Sequence, residues 1–156
     1  GTDMLFWVSR FLAALSAHAR KSPKPALQCF VFFDEADCYL PATRKPVTKE
    51  PMENGFKRFR SAGVGIGLGT QSPGDIDYKS KDSITTWLVG RVSEPTALEK
   101  LKKVLGSTVD RLPRLTTGSF AMKTETRTVG RFQATLPVIM PVQLEESEIV
   151  RLAAQR

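Results

Sequence analysis

Apolar positions in the first twenty residues recur with helical spacing. The side chains on this stripe are Leu5, Val8, Leu12, Leu15 and Ala19, and Phe6, Phe11 and Ala13 widen it. Asp3 can cap the amino end, and Pro23 and Pro25 follow the other end. The pattern predicts an amphipathic helix over residues 4–20.

Two short apolar segments predict neighbouring strands. The unbroken run at 28–33 is typical of a strand that is buried on both faces of a parallel sheet. Residues 63–70 alternate glycines with Val64, Ile66 and Leu68, so one face of a second strand would carry no side chains and allow close packing. Between the two, the proline-rich and charged residues 41–51 predict a flexible surface loop, and residues 52–62 predict a helix with Phe56 and Phe59 inward.

The same alternation continues along the chain. We expect a turn at 71–75, a short helix at 76–81, a third strand at 84–92 and a third helix at 94–105. Strands that alternate with helices over 28–105 predict an α/β fold with a parallel sheet. Residues 120–123 and 131–136 around a polar turn at 127–130 predict a carboxyl-terminal hairpin, and a last short helix begins near Glu145. We expect one domain over 1–156.

Composition narrows the class of protein. The chain has 156 residues, 41% of them hydrophobic and 25% charged, which is typical of a globular domain and excludes disordered and collagen-like classes. The only cysteines are Cys29 and Cys38, which are too few for a disulfide framework. No apolar run approaches the ~20 residues of a membrane span. We therefore expect a cytoplasmic protein. The net charge of +7 favours a polyanionic partner, nucleic acid first.

Two carboxylates follow the first strand directly. Asp34 and Glu35 come after an apolar run, which is the Walker B pattern of nucleotide-hydrolysing proteins. A buried strand would hold both groups at its carboxyl end, where open α/β sheets bind ligands. Asp34 would hold the Mg²⁺ of a nucleotide, and Glu35 would orient and polarise the attacking water. The alternative is a solvated acidic turn.

Gln71 follows the glycine-rich strand. Since the carboxyl ends of neighbouring parallel strands share an edge of the sheet, Gln71 should lie beside Asp34 and Glu35. Its amide could bridge the water and the γ-phosphate as a sensor. The alternative is a polar turn residue before Ser72 and Pro73.

Three segments together resemble the HerA–FtsK group of P-loop ATPases. They are VFFDEADCYLP at 31–41, KRFRSAGVGIGLGTQSPGDIDY at 57–78 and ITTWLVGRVSEPTALEKL at 84–101, and the resemblance covers roughly residues 28–120. It is greatest to HerA-like helicases and translocases. The resemblance implies a three-layer fold of the RecA/ASCE type, hexameric rings that thread DNA by hydrolysing ATP with Mg²⁺, and a nuclease partner.

The resemblance also implies an arginine finger, which would fall on Arg60. Asp34, Glu35 and Gln71 lie at carboxyl ends of strands, whereas Arg60 precedes the strand over 64–70. At ~3.3 Å per residue, the two edges are about 20 Å apart, so Arg60 could reach the phosphate of a neighbouring subunit more easily than its own. Arg91, after the third strand, is a second candidate. The alternatives are a solvated helix face for Arg60 and pairing with Glu94 or a carbonyl for Arg91.

The phosphate-binding loop of this class is missing from the sequence. A P-loop needs GxxxxGK[ST], and no Gly-Lys dipeptide occurs in the chain. We therefore expect the carboxyl half of an ATPase domain, which by itself would bind ATP poorly or not at all. Two other hypotheses stay open: a complete, non-catalytic module that binds nucleic acid or protein, and an independent Mg²⁺-dependent phosphohydrolase. A GxxxxGK[ST] segment upstream favours the first interpretation, a start codon near residue 1 the second, and hydrolysis by this chain alone the third.

Overall fold

The computed structural model describes residues 2–21, 23, 24, 26–126, 128–135 and 145–154. In chain order the elements are α1 (Thr2–Lys21), β1 (Cys29–Phe33), α2 (Lys49–Phe56), β2 (Val64–Leu68), β3 (Thr86–Val89), α3 (Pro95–Leu105), β4 (Ser119–Thr124), β5 (Thr128–Gln133) and α4 (Glu146–Ala153). Short 3₁₀ helices occupy Ala36–Cys38, Arg60–Ala62, Tyr78–Ser83 and Gly106–Arg114. Pro25, Arg127 and Leu136, which bound predicted elements, lie outside the described residues.

The first predicted helix and the first two strands are confirmed. The helix α1 begins at Thr2, so Asp3 lies inside its first turn and not at its cap. The strands β1 and β2 pair in parallel, with Cys29 opposite Val64 and Phe33 opposite Leu68. Helices α1 and α2 cover one face of this pair and form a core from Leu12, Met52, Phe33, Phe59 and Val64, all at most 7% exposed.

The other face of this sheet is open in the described part of the chain. Phe30 and Phe32 are 61% and 60% exposed, so the prediction that β1 is buried on both faces is wrong. The reason is that both helices pack on the same side of the sheet. The rings lie along the glycine face of β2, where a Cβ added to Gly67 would be 2.7 Å from Phe32 Cδ2.

The third strand belongs to a different sheet. β3 pairs antiparallel with β4, and β4 with β5, so the predicted hairpin is confirmed but the extension of the parallel sheet to a third strand is wrong. The physical reason is that β3 buries Val89 in a second core, formed with Leu101, Val104 and Leu112. The architecture is therefore a mixed α/β fold with a two-stranded parallel sheet and a three-stranded antiparallel sheet.

The loop after β1 is shorter and more buried than its composition indicates. Helix α2 begins at Lys49 and ends at Phe56, before the predicted end of the helix at 62. Pro41, Thr48 and Lys49 are buried, and Pro41 forms a β-bridge with Ile76. The short helix predicted at 76–81 is the 3₁₀ helix Tyr78–Ser83.

Among the described residues, none of the helices has the length and apolarity that a bilayer crossing requires.

Candidate functional site

The carboxyl ends of β1 and β2 remain hydrogen-bonded beyond the last strand residues. The Gly69 amide donates to the Phe33 carbonyl at 2.9 Å, and the Ala36 amide donates to the Gly69 carbonyl at 2.7 Å. These bonds fix how the segment after β1 lies against the segment after β2. Side chains from residues 34–37 and 70–71 therefore meet at one edge of the parallel sheet.

Glu35 and Gln71 form a direct contact at this edge. The Gln71 Nε2 donates to the Glu35 Oε1 at 2.7 Å. A bond to a carboxylate is stronger than one between neutral groups, and this one lies at the protein surface, where a ligand can reach both side chains. The juxtaposition expected from the ends of two parallel strands is thus present.

The backbone of Glu35 is in an unusual conformation. Its φ of 50° and ψ of 54° are left-handed, and among the described residues it is the one non-glycine residue with positive φ. The Asp34 Oδ1 accepts from the Glu35 amide at 3.0 Å. Such a backbone conformation costs of order 1–3 kcal/mol and persists only where the surrounding structure holds it in place. Residues of this kind are enriched at functional sites.

A second link joins the two strand ends, and sequence reasoning missed it. The Thr70 Oγ1 donates to the Asp37 Oδ1 at 2.7 Å and accepts from the Ser72 amide at 3.0 Å. The available signal was the pattern Thr-Gln-Ser after a strand, since a threonine hydroxyl often closes a turn on the amide two residues later.

An ion pair joins the first residue of α2 to the segment that follows β2, and it too was not predicted. The Lys49 Nζ lies 2.6 Å from the Asp77 Oδ2, with side-chain exposures of 10% and 8%. Lys49 also donates to the Pro41 carbonyl at 2.8 Å. Burial by itself would raise the pKa of Asp77, but the hydrogen bond and charge of Lys49, with the amide and charge of Lys79, outweigh it and hold the pKa below its usual value.

The residues after β1 fit a magnesium ion only if other groups supply most of its ligands. Asp34 is exposed, and one of its oxygens accepts the Glu35 amide. No group of three or more metal-binding side chains occurs within the described ranges. Since protein-bound Mg²⁺ commonly takes one or two carboxylates and completes its shell with phosphate oxygens and water, Asp34 suits that role alongside a nucleotide.

The two candidate arginines lie at different places in the fold. Arg60 begins the 3₁₀ helix before β2, at the amino end of that strand, and is exposed. Arg91 is exposed in the segment after β3, which belongs to the antiparallel sheet. Neither forms an ion pair with a carboxylate in the parts of the chain that the structure describes.

Solved structures similar to this chain include genome-packaging NTPases. The NTPase B204 from Sulfolobus turreted icosahedral virus 2 in complex with AMPPCP is 18% identical, with a TM-score of 0.64 over 88% of this chain and 63% of that chain. Its complex with ATP-γS gives 20% identity and a TM-score of 0.58 over 69% of this chain and 52% of that chain. B204 from Sulfolobus turreted icosahedral virus, described as a DNA-packaging ATPase, gives 18% identity and a TM-score of 0.59 over 69% and 52%.

These matches show the fold. The chain has a P-loop NTPase-like α/β fold and spans 52–63% of the length of the structures it resembles. No protein-family model and no curated protein sequence matches it.

Proposed function

We propose that this chain supplies the Walker B and sensor part of the ATP-hydrolysing site of a HerA/FtsK-type DNA translocase or helicase. The observation that carries the proposal is the 2.7 Å hydrogen bond between Gln71 and Glu35, on segments that follow adjacent parallel strands. The likeness to packaging NTPases that were solved with ATP-γS and AMPPCP supports a nucleotide as the ligand.

Each residue of the proposed site has a separate task. Asp34 binds the Mg²⁺ of the nucleotide, which neutralises charge on the phosphates. Glu35 orients the attacking water and accepts its proton. Gln71 holds the Glu35 carboxylate in the resting state and turns to the γ-phosphate and the water when ATP binds. The phosphate-binding loop must come from sequence outside these residues, since the chain has no Gly-Lys dipeptide.

Arg60 acts in a neighbouring subunit. It precedes β2, whereas the carboxylates lie beyond the opposite end of the sheet, and the five residues of β2 at ~3.3 Å each keep the two apart. In a ring of subunits, this exposed guanidinium would face the nucleotide of the next copy. Arg91 is the second candidate for this role.

DNA is the proposed polymer substrate. The net charge of +7 favours a polyanion, and the packaging function of the similar structures favours DNA. A homo-oligomeric ring and a nuclease partner belong to the same proposal, on the resemblance to HerA-like proteins.

An ATPase assay on the complete polypeptide that contains these residues tests the role of Glu35. We expect Glu35→Gln to lower kcat by ~10²–10⁴, the usual contribution of a general base, while ATP-γS still binds. Glu99→Gln, an exposed carboxylate on α3, is the matched control and should not change kcat. A loss below about tenfold for Glu35→Gln, or a polypeptide without a GxxxxGK[ST] segment, would contradict the proposal. Hydrolysis by residues 1–156 alone would favour an independent phosphohydrolase.

Mixed rings test Arg60. Subunits carrying Arg60→Ala and subunits carrying Glu35→Gln should each be inactive, and mixing them should restore part of the ATPase activity, because some sites then combine an intact Glu35 with an intact Arg60. An in-trans arginine is worth ~10³–10⁵ in rate, so even a small fraction of restored sites is measurable. Mixtures that stay as inactive as their components would exclude Arg60 and favour the same experiment with Arg91.

A further inference from the structure

We infer that Asp37 and Thr70 form a positioning pair that holds Gln71 against Glu35. This inference rests on the proposed function for its purpose, but its geometry belongs to the chain alone. The Asp37 carboxylate accepts from the Thr70 hydroxyl at 2.7 Å, and that hydroxyl accepts from the Ser72 amide at 3.0 Å. Gln71 is the residue enclosed between Thr70 and Ser72.

The hydrogen bond to Ser72 fixes the backbone on both sides of Gln71. A hydroxyl that accepts from the amide two residues later closes a turn around the residue between them. Gln71 is exposed, and its side chain has several rotatable bonds that would otherwise be free. Holding its backbone directs the side chain toward Glu35 before any ligand arrives.

Asp37 determines which way the Thr70 hydroxyl points. A hydroxyl has one proton to donate and two lone pairs to accept with. An ionised carboxylate only accepts, so the proton of Thr70 must point to Asp37, and a lone pair is left for the Ser72 amide. The carboxylate therefore acts on Gln71 through Thr70.

The positioning pair is better shielded than the contact that it supports. The Asp37–Thr70 bond is partly buried, whereas the Glu35–Gln71 bond is exposed. Asp37 lies in the 3₁₀ helix Ala36–Cys38, whose first amide donates to Gly69 next to Thr70, so both partners are held by backbone bonds. The partly buried Asp37–Thr70 bond can hold the backbone of Gln71 in place while the exposed side-chain amide of Gln71 exchanges one hydrogen-bond partner for another.

NMR on the nucleotide-free chain tests the inference with two probes. Hydrogen exchange of the Ser72 backbone amide reports on the turn, and ¹⁵N relaxation of the Gln71 side-chain amide reports on its position. Thr70→Val should raise Ser72 exchange by ~5-fold, the factor that corresponds to one hydrogen bond of ordinary net strength. It should also bring the Gln71 order parameter below about 0.6, the range of flexible groups. Thr70→Ser should restore both values.

Variants of the carboxylate distinguish positioning from a purely structural role. Asp37→Ala should loosen Gln71 as Thr70→Val does, whereas Asp37→Asn, which keeps an accepting oxygen, should leave it ordered. Thr116→Val is the control, because it removes a hydroxyl that bonds Ser119 in the other sheet. If Thr70→Val does not fold, the same two NMR probes applied to Asp37→Ala and Asp37→Asn test the inference.

One result would overturn the inference: a Gln71 side chain that stays ordered when the Thr70–Ser72 bond is lost. That result would leave the ATPase proposal intact, because none of these measurements involves nucleotide. Conversely, a normal kcat for Glu35→Gln would refute the ATPase role without affecting the positioning pair.

Discussion

Removing the charge of Asp77 should destabilise the fold strongly, because its partner is buried. In Asp77→Asn, the Lys49 ammonium keeps the Pro41 and Arg44 carbonyls, at 2.8 and 3.4 Å, but loses the carboxylate at 2.6 Å. Breaking a buried pair on one side costs about 3–5 kcal/mol, and the two remaining carbonyls favour the lower end, about 3 kcal/mol. For a chain of this length, that lowers Tm by roughly 6–12 °C.

Asp82→Asn is the matched control for this substitution. Asp82 also pairs with a lysine, at 2.7 Å from Lys81, but its side chain is 86% exposed. Exposed pairs contribute about 0–1 kcal/mol, so the same chemical change should shift Tm by less than about 4 °C. Thermal unfolding followed by circular dichroism at pH 7 compares the two variants directly.

The pH dependence shows whether charge is the cause. The pKa of Asp77 is lower in the folded state than its usual value of 3.8, so its contribution is complete above that value and is lost as the pH falls through the folded pKa. Below both values the aspartate is neutral, as asparagine is, and the difference between wild type and Asp77→Asn should shrink. A deficit that is as large at pH 2 as at pH 7, or equal Tm shifts for Asp77→Asn and Asp82→Asn, would refute the reasoning.

Two further predictions concern a pair of glycines and a half-buried tyrosine. Gly55→Ala should destabilise the chain by about 1–3 kcal/mol in urea unfolding, because its Cβ would overlap the ring of the buried Phe59. Gly67→Ala faces exposed rings and should cost less. Equal losses would contradict this. Burial raises the pKa of Tyr78 to about 12, so absorbance at 295 nm should show its ionisation near pH 12, and Tyr78→Phe should remove that step. Its contribution to stability is present below pH 10 and disappears as the pH rises toward 12; ionisation of Tyr78 near pH 10 would contradict the assignment.

Local sequence patterns predicted the strands near the site because the conformation of each strand depends mainly on residues close to it in the sequence. The apolar run of β1 and the alternation in β2 are properties of short segments. The helix predicted between them indicates a parallel order, which places Glu35 and Gln71 at one edge. Strand direction therefore brings the two residues to the same edge, and the structure adds the hydrogen bond between their side chains.

Pairing between distant segments was not predictable in the same way. The strand–helix alternation up to residue 105 suggested that β3 extends the parallel sheet, but β4, further along the chain, provides its partner. Lys49 and Asp77 show the same limit: each occurs in a polar segment of the kind that is usually solvated, and only the bridge between Pro41 and Ile76 brings them together. The burial of Phe30 and Phe32 was predicted wrongly because an apolar run does not reveal on which side of the sheet the helices pack.

The left-handed backbone of Glu35 has a consequence for any attempt to engineer a hardier version of this chain. At a φ of 50°, glycine fits without penalty and asparagine fits better than glutamate does. A selection for thermal tolerance would therefore favour replacement at this position and, in doing so, remove the carboxylate to which Gln71 is bonded. Under the proposed function, glutamate at this position lowers stability in exchange for a carboxylate at the site, so heat-resistant variants should be assayed for ATPase activity before they are used.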